Sequence, residues 1–391
     1  MRHGSVGFIS RSLPALLLAA CSGNPPVEAQ GRAPSSPQPP STAGVVVAEP
    51  VATGLVHPWA LQFLPDGRLL VTERPGRLRI VSMDGTVSAP LNGLPEIYAQ
   101  GQGGLLDVAL DPDFANTQLV YLSFSEPGEG GSGTAVARGR LTDGGLEGTT
   151  VIYRQRPKVD SRGHFGSRLV FSNDGKLFIT QGDRQSARFR GRAQQLDQGM
   201  GKIMRVNPDG TIPDDNPFTG RDDAQPEIWS FGHRNVQAAA LHPETGQLWT
   251  VEHGARGGDE LNNPQAGKNY GWPIITYGRD YSGLSIGEGS AKEGMEQPVY
   301  YWDPVIAPSG MTFYTAEAIP GWQGSILVGS LTPGALVRLV LQDGKVTREE
   351  RYLGDLGERI RDVQQGPDGF VYVVTDREDG RVLRVRPAQG R

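Results

Sequence analysis

The chain of 391 residues contains 54 glycines and 30 prolines, which is typical of a fold with many tight turns or of a low-complexity chain. Because its apolar residues, 37% of the total, are spread evenly along the chain, the composition favours the folded alternative. The formal net charge of −5 gives no basic patch of the kind that binds nucleic acid, so we expect no nucleic-acid partner.

The N-terminus has the pattern of an export signal. Basic residues precede an apolar run, residues 13–20, which is too short to stay in a membrane as a spanning helix. The run ends in Leu18-Ala19-Ala20-Cys21, which resembles a bacterial lipoprotein signal with a lipidated cysteine; a coincidental cysteine in an ordinary signal peptide is the alternative. We expect residues 1–21 to be a lipoprotein-type signal peptide, and a membrane contact only through the lipid anchor.

The next segment, residues 22–43, is rich in Pro, Ser, Gly and Ala and cannot bury a core, so it predicts a flexible tether. The folded domain is expected to span residues 44–391. Cys21 is the only cysteine, which leaves this domain without disulfides or thiol chemistry. Ser22 after the cysteine resembles a lipoprotein of the outer membrane, so we expect a periplasmic protein anchored there.

One unit of a turn followed by a strand recurs six times. In each copy, a turn containing Gly, Asp or Pro precedes a short run of β-branched or aromatic residues that alternates as a half-buried strand does. The six turns are Pro65-Asp66-Gly67, Asp111-Pro112-Asp113, Asn173-Asp174-Gly175, Pro243-Glu244-Thr245-Gly246, Trp322-Gln323-Gly324 and Pro367-Asp368-Gly369. Repetition without linkers predicts an all-β fold, a six-bladed β-propeller, rather than a tandem of β-sandwiches.

Two strand candidates lie outside these six units. Residues 45–51 precede the first complete unit, and residues 381–386 follow the last. Pairing them in one blade would close the ring and remove its free sheet edges. We therefore predict a single domain.

Several loops carry polar residues that plain turns do not need, and loops at one end of a propeller hold its function. Residues 252–260 place acids beside glycines, a combination that suits Ca²⁺ but also occurs in solvated acidic loops. His164 lies between glycines and is either a general base or a hydrogen-bonded structural histidine.

Two further loops carry cations. Arg234 and Asn235 follow a strand and could hold an anionic or carbonyl group through forked hydrogen bonds, unless the arginine is an ordinary surface residue. Arg359 and Arg361 alternate, so both point to one side and indicate either an anionic ligand or a salt-bridged edge. The chain contains no Walker loop or His-x-x-x-His pair.

Seven segments together resemble one protein family. They are GQGGLLDVALDPDF, GHFGSRLVF, IPDDNPF, EIWSFGHRN, EHGARGGDELN, GKNYGWP and RIRDV. In this order they resemble the soluble pyrroloquinoline-quinone (PQQ)-dependent sugar dehydrogenases, specifically the bacterial aldose sugar dehydrogenases of the glucose/sorbosone dehydrogenase superfamily. The resemblance extends from about His57 to Val385. It implies a six-bladed propeller, a quinoprotein that oxidises aldose sugars at the anomeric carbon to lactones, and an unidentified electron acceptor that reoxidises the cofactor.

The resemblance also implies a role for individual residues. His164 would be the general base that takes the sugar's hydroxyl proton while hydride passes to PQQ, and Arg234 would stabilise charge on the quinone oxygen. The cofactor-binding residues implied are Gln102, Arg234, Asn235, Tyr281, Arg359 and Arg361. The metal ligands implied are the carbonyls of Gly254 and Ala255 for a cofactor-bridging Ca²⁺, and Asp259, Glu260 and Tyr270 for a second, structural Ca²⁺.

The sequence departs from this family at two positions. Thr332 replaces a lysine that helps to hold the cofactor, and Gly163 replaces the Asp or Asn that often precedes the histidine. Both changes bear on cofactor affinity and rate. A propeller that binds sugar or protein without redox chemistry, and a calcium-dependent lactonase that needs no quinone, are therefore the alternative functions.

Overall fold

The computed structural model describes residues 45–388 and, outside that range, Met1, Gly4 and Ser35–Ser36. The signal peptide and most of the tether predicted from the sequence therefore lie outside the described residues. Within the tether, Ser35–Ser36 forms a two-residue strand, β1, that pairs in parallel with residues 301–302, so the tether has regular structure at that point. No helix in the described part of the chain is long and apolar enough to cross a membrane.

Six sheets follow one another along the chain, and consecutive strands within each sheet are antiparallel. Strand β2 (Val46–Leu55) follows β1 and joins the last sheet. The first three sheets contain β3 (Pro58–Phe63), β4 (Leu69–Glu73) and β5 (Arg77–Val81); β6 (Leu105–Leu110), β7 (Leu119–Gly128), β8 (Gly131–Thr142) and β9 (Gly145–Arg154); and β10 (Leu169–Phe171), β11 (Leu177–Thr180), β12 (Lys202–Val206) and β13 (Ile228–Phe231).

The other three sheets complete a ring. They contain β14 (Val236–Leu241), β15 (Leu248–Glu252), β16 (Asp259–Asn262) and β17 (Tyr300–Trp302); β18 (Pro308–Tyr314), β19 (Ser325–Ser330), β20 (Ala335–Gln342) and β21 (Lys345–Tyr352); and β22 (Ile360–Gln365), β23 (Val371–Thr375) and β24 (Gly380–Pro387). The described helical segments are short: α1 (Phe114–Thr117) and two 3₁₀ turns, Arg190–Gln194 and Gly354–Leu356. The first strand of each sheet contacts the first strand of the next, all the way around the ring.

This arrangement confirms the six-bladed β-propeller. Each of the six repeated turns leads into the second strand of a blade, which explains why the unit recurs once per blade. The ring is closed by pairing between β2 and β24, with Val47 opposite Arg386 and Glu49 opposite Arg384. That pairing lies where the sequence placed it, and it brings residues 46–55 and 380–387 into one blade.

The core lies between neighbouring blades rather than at a single centre. The second strands β4, β11, β15, β19 and β23 are buried along their whole length, because adjacent blades cover both of their faces. Leu70 and Leu106, for example, belong to one apolar cluster that joins the first two blades. Each such side chain stabilises the fold by about 1.5–3 kcal/mol, so the propeller needs no disulfide.

An ion triad closes the centre of the ring. Arg168 Nη1 lies 2.8 Å from Asp107 Oδ1 and 3.2 Å from Asp362 Oδ1, and all three side chains are buried. The two carboxylates also bind the inner strands: Asp362 Oδ2 accepts a hydrogen bond from the backbone N–H of Leu61, and Asp107 Oδ2 accepts one from that of Leu169. One cavity lies on each side of the triad. The triad therefore ties inner strands together and divides the channel.

Replacing Arg168 by Met is expected to lower the free energy of unfolding by about 3–5 kcal/mol, because two buried carboxylates lose their cation. Burial raises the pKa of Asp107 to about 6 even beside Arg168. Between about pH 4 and pH 6, the Asp107 carboxyl is protonated in the folded protein and ionised in the unfolded chain. The folded state therefore loses stability as the pH rises through this range, and the full free-energy cost of ionising buried Asp107 is reached above about pH 6.

The loss of stability in this variant is accordingly expected to be larger at about pH 7.5 than at about pH 5 in urea-unfolding measurements. Arg140→Met is a matched control, because Arg140 pairs with Glu147 on the surface. Equal losses at the two pH values would show that Arg168 does not act through the buried carboxylates.

Candidate active site

A cavity of about 260 Å³ occupies one end of the channel. Residues from all six blades and their loops form its wall: Trp59, Arg74, Gly101, Gln102, Leu106, Phe165, Gly166, Gln237, His253, Leu331, Arg359, Arg361 and Asp376. The resemblance implied that Gln102, Arg359 and Arg361 contact one ligand. The fold brings Gln102, from the loop before the second blade, to the same wall as the two arginines of the last blade.

His164 lies beside this cavity, immediately before Phe165. Its Nδ1 is 2.6 Å from Asp183 Oδ1, and its backbone N–H donates to Gln102 Oε1 at 2.8 Å. An ionised carboxylate can only accept, so the proton sits on Nδ1 and Nε2 carries the basic lone pair. Burial lowers the pKa of His164 below its ordinary value, although the hydrogen bond and charge of Asp183 act in the opposite direction. The ring is therefore a neutral base at pH 7.

Asp183 was not predicted from the sequence. Its Oδ1 also accepts from the backbone of Gln185 at 2.8 Å, and its Oδ2 accepts from Trp272 Nε1 at 2.8 Å. Burial opposes its ionisation, but the hydrogen bond and charge of His164 outweigh this and hold the pKa of Asp183 below its usual range. The carboxylate is thus an ionised, rigidly held partner that fixes the orientation of the imidazole.

Arg234 belongs to the same network. The backbone carbonyl of Arg234 accepts from the N–H of Asp183 at 2.7 Å, and its guanidinium lies over Trp272, 5.2 Å from the ring centre. Nη1 donates to the carbonyls of His253, at 3.1 Å, and Gly254. Nε is buried and has no protein partner among the described residues. His164 and Arg234 therefore stand at the same end of the ring, joined through Asp183 and Trp272.

Asn235 supports the histidine loop. Its Oδ1 accepts from the backbone N–H of Gly166 at 3.2 Å and from Gln237 Nε2 at 3.3 Å, and the residue is almost completely buried. Asn235 itself is not part of the cavity wall. The structure therefore places it behind the site, where it holds the loop that carries His164.

Guanidinium groups dominate another part of the wall. Asp376 Oδ2 accepts from Arg361 Nη2 at 3.0 Å and Arg359 Nη2 at 3.2 Å, while its Oδ1 lies 2.9 Å from His57 Nδ1. Burial opposes ionisation of Asp376, but the charge of Arg361 and the hydrogen bond from His57 outweigh it, so the pKa of Asp376 is far below its usual range. Two arginines thus share one carboxylate, and Arg361 Nε is buried without a partner among the described residues. This excess of positive charge favours the anionic-ligand interpretation.

The residues predicted as ligands of a second Ca²⁺ are engaged in contacts within the protein. Asp259 accepts three backbone N–H groups, from Gly254 at 2.7 Å, Ile306 at 2.8 Å and Ala307 at 2.7 Å. The Tyr270 hydroxyl donates to the carbonyl of Asn263 at 2.8 Å and accepts from the backbone of Gln265 at 2.9 Å. No three His, Cys, Asp or Glu side chains in the described part of the chain lie close enough to hold a metal.

Glu260, the third member of that set, faces a different partner. It lies opposite Glu252 on the neighbouring strand, and Asn262 Nδ2 donates to both carboxylates, at 3.1 and 3.0 Å. Burial, together with the charge of Glu252, raises the pKa of Glu260 to about 8. Asn262 Oδ1 is buried without a partner among the described residues. Residues 260 and 262 share one face of a strand, which is the period-two signal that could have grouped them.

The remaining predicted residues are placed as follows. Gly254 and Ala255 are buried in the loop after β15, and the Gly254 carbonyl points at Arg234. Tyr281 is 71% exposed at a loop tip and is not part of the cavity wall, so the structure does not bring it to the other cofactor residues. At Thr332, where the family's lysine was expected, the neighbouring Leu331 forms the wall.

Comparison with known proteins identifies the relatives of this fold and site. Residues 55–384 match the family model described as "Glucose / Sorbosone dehydrogenase". The chain is 48% identical over 354 residues to the aldose sugar dehydrogenase YliI of Escherichia coli (strain K12), which covers 89% of this chain and 94% of that protein.

Two solved structures are similar throughout the propeller. The soluble aldose sugar dehydrogenase from Escherichia coli in the apo-form superposes with a TM-score of 0.85 at 47% identity, covering 88% of this chain and 99% of that one. The PQQ-bound form of an aldose sugar dehydrogenase from Streptomyces coelicolor gives a TM-score of 0.72 at 29% identity, covering 89% of this chain and 99% of that one.

Proposed function

This chain belongs to the glucose/sorbosone dehydrogenase family, and from that premise we propose that it oxidises aldose sugars at the anomeric carbon to lactones, using PQQ and Ca²⁺. It is an oxidoreductase by family membership. The observation that carries the proposal is a neutral, carboxylate-oriented imidazole next to a cavity rich in guanidinium groups. A propeller that only binds sugar would not need a base held in one tautomer.

The residues of the cavity fit PQQ. This cofactor carries three carboxylates, and the wall offers Arg74, Arg359 and Arg361 against the single carboxylate of Asp376. The buried Nε atoms of Arg361 and Arg234 have no protein acceptor among the described residues, so oxygen atoms of a ligand would satisfy them. Arginine forks match carboxylates in geometry as well as in charge.

The proposed reaction removes a hydride from the anomeric carbon of the sugar and a proton from the hydroxyl group on that carbon. PQQ, when bound, supplies a quinone that accepts the hydride from the anomeric carbon with both electrons of the C–H bond. His164 Nε2 takes the hydroxyl proton, and the C–O bond becomes the carbonyl of the lactone. Asp183 stabilises the imidazolium that forms, and Arg234 provides a positive charge where negative charge develops. The indole N–H of Trp272 keeps Asp183 in place.

The donor atoms near Arg234 fit a hard cation. Gly254 and Ala255 lie buried in a glycine-rich loop, and their carbonyls are hard oxygen donors that would hold the ion that polarises the quinone. A second ion would relieve the paired carboxylates of Glu252 and Glu260 and could use the unpartnered Asn262 Oδ1. The oxygens of Asp259 are occupied by backbone N–H groups and fit such a role less well.

Reconstitution tests the proposal. PQQ and Ca²⁺ added to the purified protein are expected to produce dye reduction with several aldoses, and Ca²⁺ alone to produce none. Absence of dye reduction with every aldose, in a folded protein that binds PQQ, would contradict the proposed oxidation. Hydrolysis of lactones with Ca²⁺ alone would favour the lactonase.

We also propose that the protein is exported and anchored by lipid to the periplasmic side of the outer membrane. The support is the sequence around Cys21 and Ser22, which lies outside the described residues. Mass spectrometry of the mature N-terminus is expected to find lipidated Cys21, and Cys21→Ala is expected to release the protein from the membrane fraction. An unmodified N-terminus at another residue would contradict the anchor.

A further inference from the structure

The backbone of Arg74 is fixed against the loop that carries Gln102. Arg74 follows β4, its N–H donates to the carbonyl of His57 at 3.0 Å, and its own carbonyl accepts from Leu105 at 3.1 Å. A Cβ on Gly104 would lie 1.9 Å from that carbonyl oxygen, so only glycine permits the close approach. The glycines of the GQGG segment therefore hold Arg74 at the cavity.

The guanidinium of Arg74 has no acidic partner in the part of the chain that the structure describes. It lines the cavity with Arg359 and Arg361, and its Nη1 donates to the Gly101 carbonyl at 2.6 Å. No carboxylate among the described residues forms an ion pair with it. Its charge helps to lower the pKa of Arg361, after the larger effect of burial and against the charge of Asp376.

Other arginines of this blade behave differently. Arg68 pairs with Asp66, and Arg77 and Arg79 both pair with Glu73, at 2.7 and 3.4 Å. Arg74, Arg359 and Arg361 face a single carboxylate at the cavity wall, that of Asp376, and such an excess of positive charge is unfavourable unless a ligand supplies negative charge. The unpaired position of Arg74 therefore points to a ligand with more than one anionic group.

At Thr332, in contrast to Arg74, the chain has no positive charge. The fifth blade offers the wall an apolar side chain, Leu331, next to a threonine that carries no charge. The resemblance implies a lysine at position 332, and this positive charge is missing from the chain. The cavity wall contains another positive charge, Arg74 of the first blade, to which the resemblance gives no role. We propose that Arg74 is a cofactor-binding residue that replaces the missing lysine, contacting a carboxylate of PQQ together with Arg359 and Arg361. This rests on the proposed function.

Binding of PQQ to the Ca²⁺-loaded protein, followed by calorimetry, tests the assignment without using turnover. Arg74→Gln is expected to weaken binding about 10- to 100-fold, the scale of a lost charge-assisted hydrogen bond. Arg74→Lys, which keeps the charge, is expected to lose less. Arg68→Gln is the matched control, since Arg68 is in the same blade but paired with Asp66 on the surface, and its affinity is expected to stay within about twofold.

A rescue experiment distinguishes the loss of the Arg74 charge from a structural effect on the loop at Gly101. Thr332→Lys introduced into Arg74→Gln is expected to restore most of the affinity, whereas the same change in the unmodified protein gives a smaller gain. The affinity of Arg74→Gln is also expected to fall less steeply with added NaCl, because one fewer ionic contact is screened.

Each outcome is decisive. Failure of the unmodified protein to bind PQQ would overturn the proposed function itself. Normal binding by a folded Arg74→Gln would overturn only the role of Arg74. A weakened Arg74→Gln that Thr332→Lys does not rescue, with an unchanged salt dependence, would show that Arg74 acts by supporting Gly101 and would also overturn the assignment.

Discussion

Asp183→Asn is expected to lower turnover by about 10²- to 10⁴-fold with PQQ binding nearly unchanged, the range found when a carboxylate that orients a catalytic imidazole becomes an amide. In the native protein Asp183 accepts the Nδ1 proton of His164, so Nε2 is the base. An asparagine side chain can donate to Nδ1 instead. The proton then moves to Nε2, and the nitrogen that should accept the sugar's proton is blocked.

Steady-state turnover and calorimetric PQQ affinity, measured on the same preparations, distinguish this effect from unfolding. Asp209→Asn is the matched control, because Asp209 lies in an exposed turn and contacts Thr211. Loss of PQQ affinity in parallel with turnover would mean that Asp183 supports the cavity as a whole. Turnover near that of the unmodified protein would place the base elsewhere.

His164→Ala is expected to reduce turnover by about 10²-fold or more while the cofactor remains bound, the usual effect of removing a general base. In the unmodified enzyme, the pH dependence of turnover should reflect protonation of His164. Because burial lowers the pKa of His164, the imidazole stays neutral as the pH falls to its ordinary value of about 6.5, and activity should decline only below that.

The pH profile of turnover checks this assignment. The acidic limb is expected below about pH 6.5 in the unmodified protein and is expected to disappear in His164→Ala. His242→Ala serves as the control, because His242 lies in an outer turn next to Trp249 and Phe313. An acidic limb that survives in His164→Ala would assign the titrating group to another residue.

The fold could be predicted because a short, local sequence pattern marks each blade. Each blade repeats a turn and a buried second strand, so six turns such as Pro65-Asp66-Gly67 are visible without any knowledge of long-range contacts. Closure by residues 45–51 and 381–386 followed from the need to cover sheet edges. The two-residue strand at Ser35–Ser36 had no such signal in a segment of Pro, Ser and Gly.

The site was predictable only where a motif marks it. Motifs marked His164, Arg234 and Gln102, but Asp183 follows a strand like many other acids, and only the folded chain brings it to the imidazole. Arg74 was missed for a similar reason, since a strand-end arginine gives no sign that it lacks a carboxylate.

For the predicted metal ligands, the sequence marked candidate residues but not the contacts that their oxygen atoms make. Adjacent acids in a loop do not indicate which oxygens the backbone will occupy, and Asp259 turns out to bind three N–H groups. Tyr281 was placed at the cofactor by resemblance alone, and it lies at an exposed loop tip.

The ion triad of Asp107, Arg168 and Asp362 has a kinetic consequence. It crosses the channel at its centre, between the cavity of the candidate active site and the cavity on the other side. Under the proposed function, the sugar and the oxidant that recharges the quinone would both reach the cofactor from the side of the candidate active site. The lactone would then leave before the oxidant enters, so the two half-reactions would alternate.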